Sequence, residues 1–176
     1  CLSRYPPEAT VTWFQWLDGT DSVNETAAAV VTPFAMADRL ARDASSDRVS
    51  GISVSRLGDV GPGIDRAFEL GCGFMVIDGS NGLESPWSEL KGSPDFALLR
   101  DAVAHLRAIG REEHIDLIYF GGVRSGTDAA KLIGLGAKAV AYGVALALAA
   151  GGTITNGVIE FGSDRTQQDR VDAMQQ

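Results

Sequence analysis

Ile115-Asp116-Leu117-Ile118-Tyr119-Phe120-Gly121-Gly122-Val123-Arg124-Ser125-Gly126-Thr127-Asp128 is the stretch whose reading decides the fold. Leu117 to Phe120 is a short apolar run rich in β-formers, which predicts a buried strand. Gly121 and Gly122 carry no Cβ, so the backbone there can turn sharply and approach a ligand. Ser125, with Asp128 three residues later, predicts a capped helix start. A glycine turn opening onto a helix N-terminus gathers N–H groups and the positive end of the helix dipole, which suits an anion. Arg124 adds a planar, bidentate donor for phosphate. The stretch reads as strand, phosphate grip and helix.

The same order repeats on either side. Upstream, Gly51 to Ser55 and Gly73 to Asp78 read as strands, the second an almost continuous apolar run of the kind found in parallel sheets covered on both faces. Gly58 to Gly63 reads as a glycine-rich loop, followed by a short helix from Ile64 to Leu70. Ser93-Pro94-Asp95 reads as a helix start, with Ser93 as cap and Pro94 in the first turn. Phe96, Leu99, Val103 and Leu106 form that helix's apolar stripe. Downstream, a helix from Asp128 to Leu135 ends at Gly136. Ala139 to Tyr142 is another buried strand, with Gly143 at its carboxyl end, and Val144 to Ala150 is alanine- and leucine-rich until Gly151-Gly152 breaks it. Phe34 to Ala44 reads as a helix with Pro33 in its first turn and Thr32 as its cap. Val11 to Leu17 alternates loosely. With Trp13 and Trp16 it reads as a packing strand or a flap, or in a sharper reading as an aromatic wall over a planar cofactor.

Helices alternating with apolar strands predict a parallel sheet with right-handed crossovers. A doubly wound sheet and a (β/α)8 TIM barrel both have that order. No G-x-G-x-x-G motif follows a strand, whereas glycines end two successive strands, as in barrels that hold phosphate with their last two loops. On the barrel reading, 115–120 and 138–142 are strands seven and eight, and 51–55 and 73–78 are strands five and six. A barrel takes about 250 residues. The 176 residues are then expected to hold the C-terminal half of a barrel as a fragment: an unassigned segment at 1–30, the half-barrel at 31–152 and an extension at 153–176. Open sheet edges predict that such a fragment alone is aggregation-prone, dimeric or incompletely ordered.

A hydrophobic fraction of 45% and a charged fraction of 22% describe a globular chain with a core. The net charge of −8 weighs against nucleic acid or an anionic membrane as partner. Cys1 and Cys72 make neither a metal-ligand spacing nor a disulfide framework, so a reducing compartment, the cytoplasm, is expected. His105 and His114 are not spaced as metal ligands, read as structural or solvated, and leave no metal site to name. No signal-peptide pattern and no bilayer-spanning apolar run is visible. The first residue is not Met and 166–176 is helix-like without a cap, as expected of a piece of a longer polypeptide.

Four segments together resemble a known family. They are Phe74-Met-Val-Ile-Asp-Gly79, Leu98-Leu-Arg-Asp-Ala-Val, Ile118-Tyr-Phe-Gly-Gly-Val-Arg-Ser-Gly-Thr-Asp-Ala-Ala-Lys131 and Leu135-Gly-Ala-Lys-Ala-Val-Ala-Tyr-Gly143. They are similar to the second half of the FMN-binding barrel of glutamate synthase large subunits and their single-domain relatives. Looser versions occur in inosine-monophosphate dehydrogenase and the hydroxy-acid oxidases. The resemblance implies FMN with its phosphate on Gly121, Gly122 and Gly143, Arg124 near it, and Val123, Tyr142 and Val144 beside the phosphate or the ribityl chain. It implies reduction of an imine of a 2-oxo acid to an amino acid such as glutamate, with an electron-donor protein or domain as a possible partner. Ser55, Asp78 and Gly79 are the candidates facing substrate, and no catalytic residue is assigned.

The chain departs from the family at three places. Where the family has Ile-Ser-Val-Lys-Leu, this chain has Ile52-Ser53-Val54-Ser55-Arg56, so Ser55 stands for the lysine. Arg56, one place along, is expected on the opposite face of the strand. The loop after Asp78 has Leu83 and Glu84 where the family has small residues, and no Cys follows Gly143 where classical glutamate synthases carry iron–sulfur ligands. These departures support an alternative, a non-catalytic phosphate- or flavin-binding fragment. A nucleotide-handling barrel of the inosine-monophosphate dehydrogenase type is a further alternative.

Overall fold

In the computed structural model of the chain, residues 14–17, 22–42, 48–80, 94–155, 158–162, 166 and 169 are described. Six parallel strands form one sheet: β1 (Phe14–Trp16), β2 (Ala29–Pro33), β3 (Val49–Val54), β4 (Phe74–Asp78), β5 (Asp116–Phe120) and β6 (Ala139–Ala141). Their spatial order is their chain order. A doubly wound sheet reverses direction at a switch point. Here each strand is added on the same side, which is the winding of a barrel. The helices are α1 (Asp38–Arg42), α2 (Leu57–Glu69), α3 (Phe96–Ala108), α4 (Gly126–Leu135) and α5 (Val144–Ala149), and an antiparallel hairpin, β7 (Gly152–Thr155) and β8 (Val158–Phe161), follows them. Strands β3 to β6 are the four expected from sequence, and β1 and β2 add two more before them.

The sheet curls. Trp16 of β1 and Phe120 of β5 bring their ring centroids to 6.3 Å. Four strand spacings in a flat sheet would hold them roughly 19 Å apart. The enclosed face carries Val31, Phe74 and Val76, with Ala29, Ile118 and Phe120 against them. Gly51 sits in register with Phe74, and a Cβ there would fall 2.4 Å from the Phe74 ring, so this glycine makes room for an aromatic inside the barrel. The opposite face buries Ile52, Val54, Met75, Ile77, Leu117 and Tyr119 against Ile64 and Ala67 of α2, Leu99 and Ala102 of α3, and Leu132 of α4. Alternation along each strand divides these two sets.

Three local expectations are corrected. Gly58 to Gly63 is not a loop; it is the first half of α2, with Pro62 inside the helix. Val60, Gly63, Ile64 and Ala67 repeat at helical spacing and are buried, and this stripe outweighs the turn signal of the glycines. Gly63 lets α2 approach the sheet closely, because a Cβ there would lie 2.7 Å from Val54 Cγ1 and 2.9 Å from Met75 Cε. Thr32 and Pro33 do not open a helix. They end β2, and the Thr32 hydroxyl points back to the Leu17 carbonyl at 3.5 Å; a 3-10 turn, Phe34–Met36, precedes α1. Proline is tolerated at that strand end because the ladder stops there. The cap of α3 is Asp95, which accepts from Ala97 N at 3.0 Å, and Pro94 lies ahead of the helix. Trp13, Leu83, Glu84 and Ser93 lie outside the described residues.

His105 of α3 pairs with Asp65 of α2 at 2.9 Å, a half-exposed contact that joins neighbouring helices, which agrees with a structural reading of this histidine. Cys72 is buried and its thiol pKa is raised, mainly by burial, so it acts as a packing group. Tyr119 is fully buried, and its hydroxyl has no hydrogen-bond partner among the described residues. Burial raises the phenol above its ordinary value of 10.0, and the nearby Asp95 backbone works against that rise.

Two predictions follow from this packing. Gly63→Ala is expected to cost about 1–3 kcal/mol by forcing α2 away from the sheet. Gly58→Ala, where an added Cβ meets nothing within 4 Å, is expected to stabilise by about 0.5–1 kcal/mol. Thermal melts of the two variants test the contrast, and equal effects would refute it. Because the folded state holds the Tyr119 proton more tightly than the unfolded state, its contribution is complete below the ordinary value of 10.0 and is lost as pH rises above it. Tyr119→Phe is therefore expected to change stability at neutral pH by less than about 1 kcal/mol and to flatten the alkaline loss seen in urea melts. An unaltered pH profile would contradict this assignment.

Candidate functional site

The carboxyl ends of the parallel strands all meet at one rim, and the sequence candidates sit there. β5 ends in Gly121 and Gly122, both buried, with φ of 95° and 73°. Side chains are strained in that region of φ, so the turn requires glycine. A Cβ on Gly121 would fall 2.5 Å from Ser80 N, so the turn is pressed against the end of β4. Gly79 N donates to the Phe120 carbonyl at 2.7 Å, and the Asp78 carboxylate accepts from Ser80 N at 2.9 Å. The two loops are thus tied at their bases.

Ser125 caps α4 as its spacing predicts, accepting from Asp128 N at 3.2 Å from an extended backbone (φ −146°, ψ 160°). The Asp128 carboxylate in turn meets Arg124 N at 3.4 Å. Arg124 itself is exposed. β6 runs beside β5, and Gly143 caps α5, its carbonyl accepting from Leu146 N at 3.2 Å. The Tyr142 hydroxyl donates to the Ser125 carbonyl at 3.2 Å and straps the end of β6 to the start of α4. Gly121, Gly122, Arg124, Tyr142 and Gly143 therefore gather around two successive helix starts. The side chain of Val123 is 3% exposed and belongs to the core, so this residue offers the site its backbone. Val144, at 9% exposure, is likewise buried.

Beside the grip, at the ends of the earlier strands, lies a pocket of about 280 Å³. Its lining combines apolar Trp16, Pro33 and Phe34 with polar Ser53, Ser55, Arg56, Asp59 and Asp78. Ser55 and Asp78 were expected here. Gly79 is buried behind them, where a Cβ would collide with the Tyr119 hydroxyl. Arg56 was expected on the far face and instead lines the mouth. The reason is local: β3 stops at Val54, so strict alternation ends before Arg56, which becomes the extended cap residue of α2 (φ −129°, ψ 140°). Sequence reasoning missed Arg56 and Asp59. Their signal was a cation and an acid three residues apart, directly after a strand, with the acid inside the segment read as a loop.

A larger pocket, about 540 Å³, lies at the other end of the strands between Leu106, Asp116, Gly136 and Lys138. Barrel chemistry takes place at the carboxyl face, so the smaller pocket is the candidate site. Among the described residues no group of three or more His, Cys, Asp or Glu could hold a metal ion, and no helix is long and apolar enough to cross a membrane.

The residues at the rim fit a phosphate-bearing cofactor. The glycine turn leaves no Cβ between the backbone and a ligand, α4 directs its N-terminus at the same place, and Arg124 is exposed beside it.

Comparisons with known proteins agree. Residues 93–168, which include the grip, match the FMN-dependent dehydrogenase family. A glutamate synthase large subunit-like protein of Rhizobium meliloti (strain 1021) is 38% identical over 89 residues, covering 48% of this chain and 20% of that protein. Among solved structures, the recombinant flavin-binding domain of baker's yeast flavocytochrome b2 has a TM-score of 0.56 at 17% identity, over 85% of this chain and 41% of that one. An arginine-to-lysine mutant of flavocytochrome b2 has a TM-score of 0.54 at 20% identity, over the same 85% and 41%. At these identities the structural likeness shows the fold alone. The chain spans about a fifth of the length of the glutamate synthase-like relative. The family match, that relative and the curled sheet of six parallel strands fit half of an FMN-binding (β/α)8 barrel.

Proposed function

We propose that the protein containing this chain is an FMN-dependent oxidoreductase of the glutamate synthase type, which reduces the imine of a 2-oxo acid to an amino acid such as glutamate. The observation that carries the cofactor is the pair of buried glycines with positive φ that opens onto the Ser125-capped α4. The glutamate synthase-like relative supports the reaction type. Gly121, Gly122 and Gly143 bring backbone to the phosphate of FMN, and Arg124 supplies the opposing charge. Val123 and Val144 hold the backbone of the two helix starts from within the core, and Tyr142 fixes their spacing. When bound, FMN supplies the capacity to accept and pass on reducing equivalents. Ser55 and Asp78 face the substrate side of the mouth, and the turn at Gly79 sets the position of Asp78.

Electrons come from another protein or domain, and the compartment is cytoplasmic in this reading. Among the described residues β1 and β6 end the strand order, which favours pairing with further strands or with a second copy. A second reading, a flavin-binding barrel without turnover, is favoured by Ser55 standing in the mouth in place of the family's lysine.

The full-length protein is expected to purify with the visible absorbance of oxidised flavin, and a colourless, FMN-refractory protein would sink both readings. Gly121→Ala is expected to abolish flavin retention, since a side chain there is strained at φ 95° and collides with Ser80. Arg124→Ala is expected to weaken FMN binding by about 1.5–3 kcal/mol, roughly ten- to hundredfold. Unchanged affinity would remove Arg124 from the site. Formation of glutamate from 2-oxoglutarate and ammonia by the chemically reduced holoprotein separates the two readings, because the non-catalytic one requires none.

A further inference from the structure

We propose that Arg56 and Asp59 are the charge pair by which the mouth pocket recognises a small α-amino acid as a zwitterion. This inference rests on the reading of the mouth as the substrate side of the flavin site. Both residues line the pocket of about 280 Å³. That size is at the small end of ligand pockets, which run roughly 300–1,000 Å³. Neither side chain makes a hydrogen bond or ion pair among the described residues, although they are three residues apart at the start of α2. Arg56 is the cap residue and Asp59 the third residue of α2, the spacing of a capping box, whose two side chains serve the same first turn. An acid and a base this close and not bridged to each other can each take the opposite charge of one ligand.

An α-amino acid carries its carboxylate and ammonium on one carbon, so it can span such a pair. The Arg56 guanidinium offers the planar, bidentate fork that a carboxylate needs, and Asp59 accepts from the ammonium. A third group points the same way. Ser53 is 6% exposed, lines the pocket, and its hydroxyl has no hydrogen-bond partner among the described residues. A hydroxyl that is unpaired at the pocket wall can donate to or accept from a polar ligand. Trp16 and Phe34 supply apolar lining for the ligand's side-chain methylenes. Asp78 is less available than Asp59, because its carboxylate already accepts from Ser80 N. A 2-oxo acid has no ammonium and would use Arg56 alone, so the pair separates amino acids from their oxo counterparts.

The test is isothermal titration calorimetry of L-glutamate and 2-oxoglutarate into the full-length protein and its variants. The wild-type protein is expected to bind both. Arg56→Gln is expected to weaken both by at least about tenfold, the loss of one charge-assisted contact, while Arg56→Lys, which keeps the charge and loses the fork, falls between the two. Asp59→Asn is expected to weaken L-glutamate by about tenfold and leave 2-oxoglutarate unchanged or tighter. Binding of neither ligand by the wild-type protein, unchanged affinities in Arg56→Gln, or equal loss of both ligands in Asp59→Asn would each overturn the proposal. Flavin absorbance of the same samples reports on the phosphate grip separately. Flavin retained without discrimination sinks this pair alone, whereas discrimination without flavin sinks the proposed cofactor chemistry and leaves the pair standing.

Discussion

Parallel pairing of strands in chain order governs this structure. A parallel neighbour cannot be reached through a tight turn; the chain must travel back along the sheet, and a helix on the outside is the shortest path that satisfies its own backbone. Each of the four intervals from β2 to β6 contains such a return, and every loop that follows a strand therefore opens at one rim. The glycine turn at Gly121, the cap at Gly143, the Asp78 turn and the Ser55-Arg56 corner come from distant parts of the chain and meet for this reason alone. The inside contact of Trp16 with Phe120 adds curvature, which turns a row of loop ends into a mouth.

Close approach is the second requirement. Gly51 admits the Phe74 ring, Gly63 seats α2 on Val54 and Met75, and Gly121 lets the end of β5 rest on Ser80. In each case the missing Cβ sets a distance between two elements. At Gly121 the backbone conformation also demands glycine, since its φ is 95°. The same residue type thus acts as a packing device inside α2 and as a conformational device at the rim. The hydrogen bond from Gly79 N to the Phe120 carbonyl ties the two rim loops together, so the loops after β4 and β5 share a common base.

Charge is distributed in keeping with this division. The chain carries a net charge of −8, yet Arg124 and Arg56 stand at the rim. In an acidic protein, such local cations select small anions while the overall field repels polyanions. Helix starts reinforce both places: α4 begins behind the grip and α2 begins at Arg56.

Local sequence determined a good deal. The apolar runs at 116–120 and 74–78, the Ser125 cap, the Gly136 stop and the glycine ends of two strands each reflect short-range chemistry, and each formed as expected. The glycine turn that opens onto α4 could be read for the same reason, since all its parts lie within a few residues. Other features depended on contacts that no window of sequence contains. Gly58 to Gly63 became a helix because its buried stripe found the sheet, Pro33 stayed in a strand because β3 lay beside it, and three-residue β1 exists only as the neighbour of β2. Arg56 joined Ser55 and Asp78 because β3 ended one residue earlier than strict alternation assumed. The sequence by itself determined the glycine turn and the capped helix that follows it; the tertiary structure alone decided which charges share the pocket at the neighbouring strand ends, because that depends on where strands stop and how far the sheet curls.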